Sequence, residues 1–207
     1  GAVYATALTI GREGAILGRH RKLKPTHAER IIWADGDAAG LKVHRREYAK
    51  ISALNCWEHQ MMLPGYALAA QGTQVHAALW PGWEKIPSKD EYCWARQHLL
   101  SRAFASQAAA YVICAAGLRR APDIPDHLKP LGVWEHTGQS AIIDPRGEII
   151  AGPIDGEGIL YADGSLGVVR AAKAACDIAG HYARPDIFRL EIDDRVRPAV
   201  NFRSEER

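Results

Sequence analysis

Residues 55–59, Asn-Cys-Trp-Glu-His, are the part of the chain best suited to covalent chemistry, because they place a cysteine where a strand is predicted to end. Residues 48–54 alternate polar and apolar side chains and then become apolar, which predicts a strand entering a core, and residues 61–70 favour a helix. A thiol at such a turn has its sulfur exposed and backbone N–H groups directed at it, which can bind a developing negative charge. For Cys56 alone, the alternative is a buried structural cysteine, since free cysteine is among the most buried residue types.

A basic segment at residues 18–30 precedes this cysteine and contains five Lys and Arg residues. Such a run can bind nucleic acid. However, the formal net charge of the chain is only +2, and no second basic stripe with interleaved aromatic residues follows, so nucleic-acid binding is not expected. A lysine of this segment placed beside the thiol would instead lower the thiol pKa and raise the thiolate fraction.

Length and composition are those of an ordinary globular domain. The chain has 207 residues, of which 47% are hydrophobic, with no run of 18 apolar residues and no charged-then-apolar leader, so neither a membrane segment nor a secretion signal is expected. The cysteines form no Cys-x-x-Cys pair and show no metal-ligand spacing with histidine, which favours a reduced, cytoplasmic protein without metal or cofactor. They are Cys56, Cys93, Cys114 and Cys176.

Alternating strand and helix patterns predict an α/β protein with a layered core. The predicted helices are residues 61–70 and 91–110, and the predicted strands are residues 3–10, 15–21, 41–43, 50–54, 75–79, 111–115, 138–144, 149–151 and 158–162. Two connections are predicted to be hairpin turns, at Gly-Arg-Glu-Gly (residues 11–14) and at Asp-Pro-Arg-Gly (residues 144–147). Residues 123–136 are predicted to form a long surface loop.

The pairing of residues 20–26, His-Arg-Lys-Leu-Lys-Pro-Thr, with residues 54–59 resembles the nitrilases, the nitrile-hydrolysing branch of the carbon–nitrogen hydrolase superfamily. Further matches follow in collinear order through essentially the whole chain, at residues 29–33, 36–37, 74–81, 159–163 and 180–186. The resemblance implies a four-layer α-β-β-α sandwich, with one domain over residues 1–190 and a C-terminal tail over residues 191–207.

The family uses a Glu-Lys-Cys triad, two members of which correspond to residues of this chain. Cys56 matches the nucleophile. Lys22 matches the lysine and is preferred over Lys24, because the family lysine directly follows the arginine of the His-Arg-Lys run. Glu29 matches a second family glutamate that helps to fix the lysine and the substrate. On the residues alone, Glu29 could equally be a carboxylate near the positive end of a helix dipole.

The third triad member, the general-base glutamate, lies in the family on an early strand far upstream of the lysine. Glu13 is the sole acidic residue before Lys22 in this sequence, and it falls in the predicted turn at residues 11–14. We therefore expect that this chain lacks the N-terminal elements of the fold. The missing N-terminal segment would then be a binding partner of the chain. Glu58 could replace the base only if its carboxylate turned inward, and its alternative role is a buried hydrogen-bonding partner of the turn.

Several further side chains could contact the substrate. Trp57 and Trp80, with Trp83, could line an aromatic pocket, or they could pack in the core. The backbone N–H near Trp57 could stabilise a negative intermediate. His20 could orient a neighbouring group or act directly. His181 lies in a segment that folds back towards the site in the family, and the alternative for it is a turn with a hydrogen-bonded histidine.

The resemblance implies hydrolysis of an organic nitrile, of the arylacetonitrile-preferring kind, to a carboxylic acid and ammonia through a Cys56 thioimidate and thioester. The alternatives are an amidase of the same superfamily and a catalytically inactive subunit with an assembly role. It also implies a homo-oligomer of dimers that stack into spirals, with a small-molecule nitrile as substrate and neither nucleic acid nor membrane as a partner.

Overall fold

The computed structural model describes residues 1–83, 96–131 and 135–196, and these residues form an α/β fold. A mixed sheet of seven strands occupies the centre of the described part. The strands are β3 (His44–Arg45), β4 (Lys50–Asn55), β5 (Val75–Trp80), β6 (Tyr111–Ala116), β7 (Leu118–Arg119), β8 (His136–Ile143) and β9 (Ile149–Asp155). Their order is β3-β4-β5-β6-β8-β7, with β9 also paired to β8. The neighbours β4, β5 and β6 run parallel, and the remaining pairs are antiparallel.

Three α-helices accompany the sheet within the described residues, namely α1 (Met62–Ala70), α2 (Arg96–Ala108) and α3 (Leu166–Ala175). The core lies between the sheet and the pair α1 and α2. Successive strand residues point to opposite faces, so alternate positions of β4, β5 and β6 enter this core. Fully buried side chains there include Leu54, Ala78 and Val112. This apolar layer positions the end of β4, where Cys56 follows.

An N-terminal hairpin of β1 (Thr6–Ile10) and β2 (Ile16–Arg21) forms a separate two-stranded sheet. Its connection is a turn closed by a hydrogen bond from the Gly14 N–H to the Gly11 carbonyl, and Gly14 has a positive φ of 83°. The predicted turn at residues 11–14 is therefore confirmed. Glu13 at this turn lies 3.7 Å from the Arg46 guanidinium and is half exposed.

The second predicted hairpin is also confirmed, with β8 and β9 antiparallel across residues 144–147. The buried Asp144 carboxylate accepts hydrogen bonds from the backbone N–H of Arg146 (2.9 Å) and of Glu148 (3.1 Å), and from the Arg146 guanidinium (2.7 Å). An aspartate that bonds the backbone two residues ahead stabilises a turn locally. This explains why the sequence alone located it.

Two strand predictions are wrong. Residues 41–43 follow a 3-10 helix (Ala38–Gly40), and the short strand begins later, at His44. Residues 158–162 form neither helix nor strand, because none of the strands in the described ranges offers them backbone partners, and Ile159 and Tyr161 are 75% and 82% exposed.

Helix α3 was not predicted. The Ser165 hydroxyl caps its first turn by accepting from the Gly167 N–H at 3.0 Å, and Val169 is buried beneath it. The predicted helix at 91–110 is observed as α2, with residues 91–95 outside the described part. The predicted loop at 123–136 contains a 3-10 helix (Asp126–Leu131), and its last residue begins β8.

Candidate active site

The turn after β4 holds Cys56 in an unusual backbone conformation. β4 ends at Asn55, and a 3-10 helix (Cys56–Gln60) begins at the cysteine, which has a φ of +56°. A non-glycine residue in this region costs about 1–2 kcal/mol, so the surrounding structure must hold it. The predicted strand-to-helix turn is present, although Cys56 is only 6% exposed rather than open to solvent.

Glu58 is part of what holds this turn. Its buried carboxylate accepts hydrogen bonds from the backbone N–H of Leu23 (2.8 Å) and of Asn55 (2.8 Å), and His20 Nε2 lies 3.0 Å from both carboxylate oxygens. Burial alone would raise the Glu58 pKa, but the hydrogen bonds outweigh it and the pKa is lowered. Glu58 therefore connects the basic segment to the turn. It has the role of a buried hydrogen-bonding partner, which was one of the two alternatives considered from the sequence.

Replacing Glu58 by alanine is expected to lower the free energy of unfolding at pH 7 by about 3–5 kcal/mol, because buried donors lose their acceptor. The folded-state pKa of Glu58 lies below its ordinary 4.5, so its stabilisation is full above that pH and is lost as the pH falls through the lower value. The gap between wild type and variant in urea denaturation should therefore shrink in acid. Glu47→Ala, which breaks only the exposed pair with Arg12, is the control and should cost less than about 1 kcal/mol.

Lys22 and Glu29 form a close ion pair beside the turn. The Lys22 Nζ donates to Glu29 Oε2 at 2.6 Å and to the Thr26 hydroxyl at 2.9 Å, and the Thr26 backbone N–H donates to the same glutamate oxygen at 2.6 Å. Lys22 is 1% exposed, whereas Lys24 points to solvent and pairs with Asp35. The lysine with an electrostatic effect on Cys56 is therefore Lys22.

A cavity of about 220 Å³ brings several of the predicted residues together. Cys56, Glu29, Trp57 and Trp80 all line it. The indole N–H of Trp80 donates to the Ser101 hydroxyl at 3.0 Å, which fixes one wall. The remaining lining residues are Thr26, His27, Ala28, Pro81, Gly82, Arg96 and Gln97. The walls thus combine aromatic faces with one carboxylate and one guanidinium.

Four other predicted residues are not among the described residues that line this cavity. Lys22 is linked to it through the hydrogen bond to Glu29, which does line it. His20 is buried behind the turn against Glu58. Trp83 lies against the His98 ring, with ring centroids 5.9 Å apart. His181 lies on an exposed turn, where its ring contacts that of Tyr182.

Burial decides the ionisation of Cys56. It raises the pKa of the thiol to about 11, and the opposing effects of Lys22 and of a hydrogen bond from the Trp57 backbone N–H are smaller. The carboxylates of Glu29 and Glu58 raise the pKa further. The net shift is thus opposite to the one expected from a neighbouring lysine, so the resting thiol is neutral at pH 7 and must lose its proton to a base when it reacts.

Alkylation should report this raised pKa. In the Cys176→Ser variant, which removes the exposed thiol, iodoacetamide labelling of Cys56 should rise about tenfold per pH unit between about pH 8 and 10, since the thiolate fraction grows in that proportion below a pKa of about 11. Peptide mapping by mass spectrometry separates Cys56 from Cys114 and from Cys93, which lies outside the described residues. Fast, pH-independent labelling of Cys56 at pH 7 would contradict the raised pKa.

Two histidines near the nucleophile were missed by the sequence analysis. His59 Nδ1 lies 2.7 Å from the Cys56 carbonyl oxygen, and His59 Nε2 lies 3.0 Å from Nε2 of His76 on β5. The three-residue spacing from Cys56 to His59 was the available local signal. The contact with His76 depends on how β4 and β5 pair, which no local pattern reveals.

Within the described ranges, no group of three or more His, Cys, Asp or Glu side chains is arranged to hold a metal ion. None of the helices in these ranges has the length and apolar character needed to cross a membrane.

Comparison with known proteins identifies relatives over nearly the whole chain. The family model described as "Carbon-nitrogen hydrolase" matches residues 1–174. The chain is 52% identical, over 98% of its length, to "Nitrilase 2" of an unknown prokaryotic organism, and 36% identical, over 97%, to an aliphatic nitrilase of Rhodococcus rhodochrous. It spans 62% and 57% of the lengths of these two proteins.

Solved structures agree on the fold. The carbon-nitrogen hydrolase from Helicobacter pylori G27 superposes with a TM-score of 0.75 at 21% sequence identity, covering 90% of this chain and 64% of that one. The predicted α/β class is therefore confirmed, and the helix layer on a central sheet is consistent with the expected four-layer sandwich.

Proposed function

Because the chain belongs to the carbon–nitrogen hydrolase family, as its resemblance to nitrilases predicted, we propose that the protein hydrolyses an organic nitrile to a carboxylic acid and ammonia. The observation that carries this proposal is a cavity lined by both Cys56 and Glu29, with the Lys22 ammonium bonded to that glutamate at 2.6 Å and acting electrostatically on the thiol. The names of its relatives support nitriles as the substrate class.

The first step is attack of the Cys56 sulfur on the nitrile carbon. A nitrile carbon is a weak electrophile and needs a strong nucleophile, and a thiolate is the best that side chains offer. A C–S bond forms, one C–N π bond breaks, and the nitrogen of the resulting thioimidate gains negative charge. The buried Lys22 ammonium and the Trp57 backbone N–H supply preorganised positive charge for that nitrogen.

Two water molecules complete the reaction. The first adds to the thioimidate carbon, and ammonia leaves to give a thioester. The second releases the carboxylic acid and regenerates the thiol. Both additions need a general base, as does removal of the thiol proton, and the family resemblance assigns this work to a further glutamate. Glu13 is at the tip of the β1–β2 hairpin beside Arg46 and is a poor candidate for that role.

Glu29 has a supporting role in this scheme. Its Oε2 atom accepts hydrogen bonds from the Lys22 ammonium and from the Thr26 N–H, both at 2.6 Å. These contacts orient the lysine and hold the carboxylate in place. Glu29 is also the one carboxylate among the described residues lining the cavity, so it can contact the substrate or the attacking water.

Self-association is proposed as well, on the resemblance to the family and on apolar side chains near the C-terminus. Ile187 and Phe188 are both more than half exposed, and Leu190 is partly exposed. Light scattering of the wild type and of a Phe188→Ser variant tests this, with a smaller particle expected for the variant.

The catalytic proposal is tested by ammonia release and product analysis. Arylacetonitriles and aliphatic nitriles are each assayed beside the matching amides, and the acid is measured chromatographically. Ammonia and acid in equal amounts from at least one nitrile is the expected result. Hydrolysis of amides with no consumption of any nitrile would establish the amidase alternative instead. Consumption of neither class would leave the inactive, assembly role as the remaining candidate.

A further inference from the structure

A chain of four polar side chains, three of them buried, leads from the interior of the sheet to the backbone of Cys56. The hydroxyl oxygens of Thr73 and Ser52 are 2.7 Å apart, and the Ser52 oxygen lies 2.7 Å from His76 Nδ1. The Nε2 atoms of His76 and His59 are 3.0 Å apart, and His59 Nδ1 lies 2.7 Å from the Cys56 carbonyl oxygen.

The Cys56 carbonyl at the end of this series of side chains determines which atom carries the proton in each hydrogen bond. A carbonyl oxygen only accepts, so His59 must carry its proton on Nδ1, and its Nε2 must accept from His76. The His76 Nε2 therefore bears a proton, and its Nδ1 accepts from the Ser52 hydroxyl. The Thr73 hydroxyl then donates to Ser52 at 2.7 Å, a shorter contact than its 3.3 Å to the Val75 carbonyl, and this completes one direction of donation towards Cys56.

Both rings are held neutral and in place, as this arrangement requires. Burial lowers the His59 pKa to about 4, and it lowers the His76 pKa well below the ordinary value. The His59 ring stacks on Trp80 with centroids 5.1 Å apart, and the His76 ring stacks on Phe104 with centroids 3.9 Å apart. A protonated His59 would place two donors against each other at Nε2.

The bond to the Cys56 carbonyl has a consequence on the other side of the same peptide. In a trans peptide the C=O and the following N–H point in opposite directions within one plane. Holding the Cys56 carbonyl towards His59 therefore directs the Trp57 N–H the other way, and this N–H is the group that hydrogen-bonds the Cys56 sulfur. Cys56 has a positive φ, a strained conformation that requires a stabilising contact such as this hydrogen bond.

We propose that His59 is a positioning residue for the reaction, whose Nδ1–H fixes the Cys56–Trp57 peptide so that the Trp57 N–H faces the thioimidate nitrogen. His76 and Ser52 support it by locking the His59 tautomer. The inference rests on the proposed nitrile hydrolysis for its effect on turnover, but its structural part stands independently of any substrate.

Two amide substitutions test the contributions of the two ring nitrogens of His59 separately. Asparagine can place its amide N–H where His59 Nδ1 lies, whereas glutamine reaches the Nε2 position and keeps only the link to His76. His59→Gln is expected to lower kcat for the nitrile about 10²-fold with KM changed less than about threefold, and His59→Asn should stay within about fivefold of wild type. His98→Phe is the matched control, since it removes another histidine bond to a backbone carbonyl, that of Gln139, away from Cys56.

Two measurements that need no nitrile distinguish failure of this inference from failure of the proposed function. Long-range ¹H–¹⁵N NMR should find the His59 proton on Nδ1 in the full chain. Iodoacetamide labelling of Cys56 at pH 9 should slow at least about threefold in His59→Gln, because losing the Trp57 N–H contact raises the thiol pKa further. A His59 proton on Nε2, or His59→Gln with wild-type kcat and labelling, overturns the proposal. Absence of nitrile turnover in wild type would overturn only the proposed function.

Discussion

Replacing Cys56 by alanine is expected to abolish nitrile hydrolysis, with a fall in kcat on the order of 10⁴-fold or more. The substitution removes the atom that forms the covalent bond, and no other described cysteine shares the cavity. Ammonia release under saturating nitrile measures the loss. Mass spectrometry should at the same time show that the thioimidate or thioester adduct no longer forms.

Cys114→Ala is the matched control for this experiment. Cys114 is also a buried free thiol, with its pKa raised to about 11 by burial, but it lies on β6 and does not line the cavity. Its removal should cost about 1 kcal/mol of unfolding free energy through lost packing while turnover persists. Turnover that survives in Cys56→Ala and disappears in Cys114→Ala would reverse the assignment of the nucleophile.

Replacing Lys22 by methionine is expected to reduce kcat by about 10²–10³-fold, because it deletes a preorganised positive charge at the developing anion. Methionine keeps most of the side-chain length in a site that is 1% exposed, so the fold should persist. The Glu29 carboxylate loses its partner at 2.6 Å, but it is partly exposed and water can hydrate it. Circular dichroism checks the fold, and ammonia release measures the rate.

Lys24→Met provides the control, since Lys24 makes an exposed pair with Asp35. It should leave kcat near wild type, because surface ion pairs contribute little. If Lys24→Met is inactive and Lys22→Met is normal, the two lysines have been assigned the wrong way round.

Short-range patterns explain what the sequence predicted well. The turn at residues 144–147 depends on an Asp carboxylate and backbone groups within four positions of it. The turn around Cys56 likewise depends on Glu58 three residues from Asn55. Such contacts join residues a few positions apart, so a local pattern can indicate them, and the motifs around Cys56 and Lys22 identified two residues that the fold does bring together.

Predictions failed where the outcome depended on a distant partner. An apolar segment such as residues 158–162 becomes a strand only beside another strand edge, and none of the described strands pairs with it. The chain from Ser52 to His59 depends on the parallel register of β4 with β5, which sets Ser52 opposite His76. Neither residue type nor spacing indicates that two neutral histidines will meet in the core.

The sequence by itself determined which residue types carry the chemistry and which family the chain belongs to, because motifs in collinear order can be recognised without knowing any distance between them. Only the tertiary structure decided the state of the thiol. Lys22 predicts a lowered pKa for Cys56, but the packing of the turn removes the sulfur from water, and that desolvation raises the pKa to about 11. The balance between a nearby charge and the loss of solvent is a property of the enclosed volume, which no spacing of residues along a chain specifies.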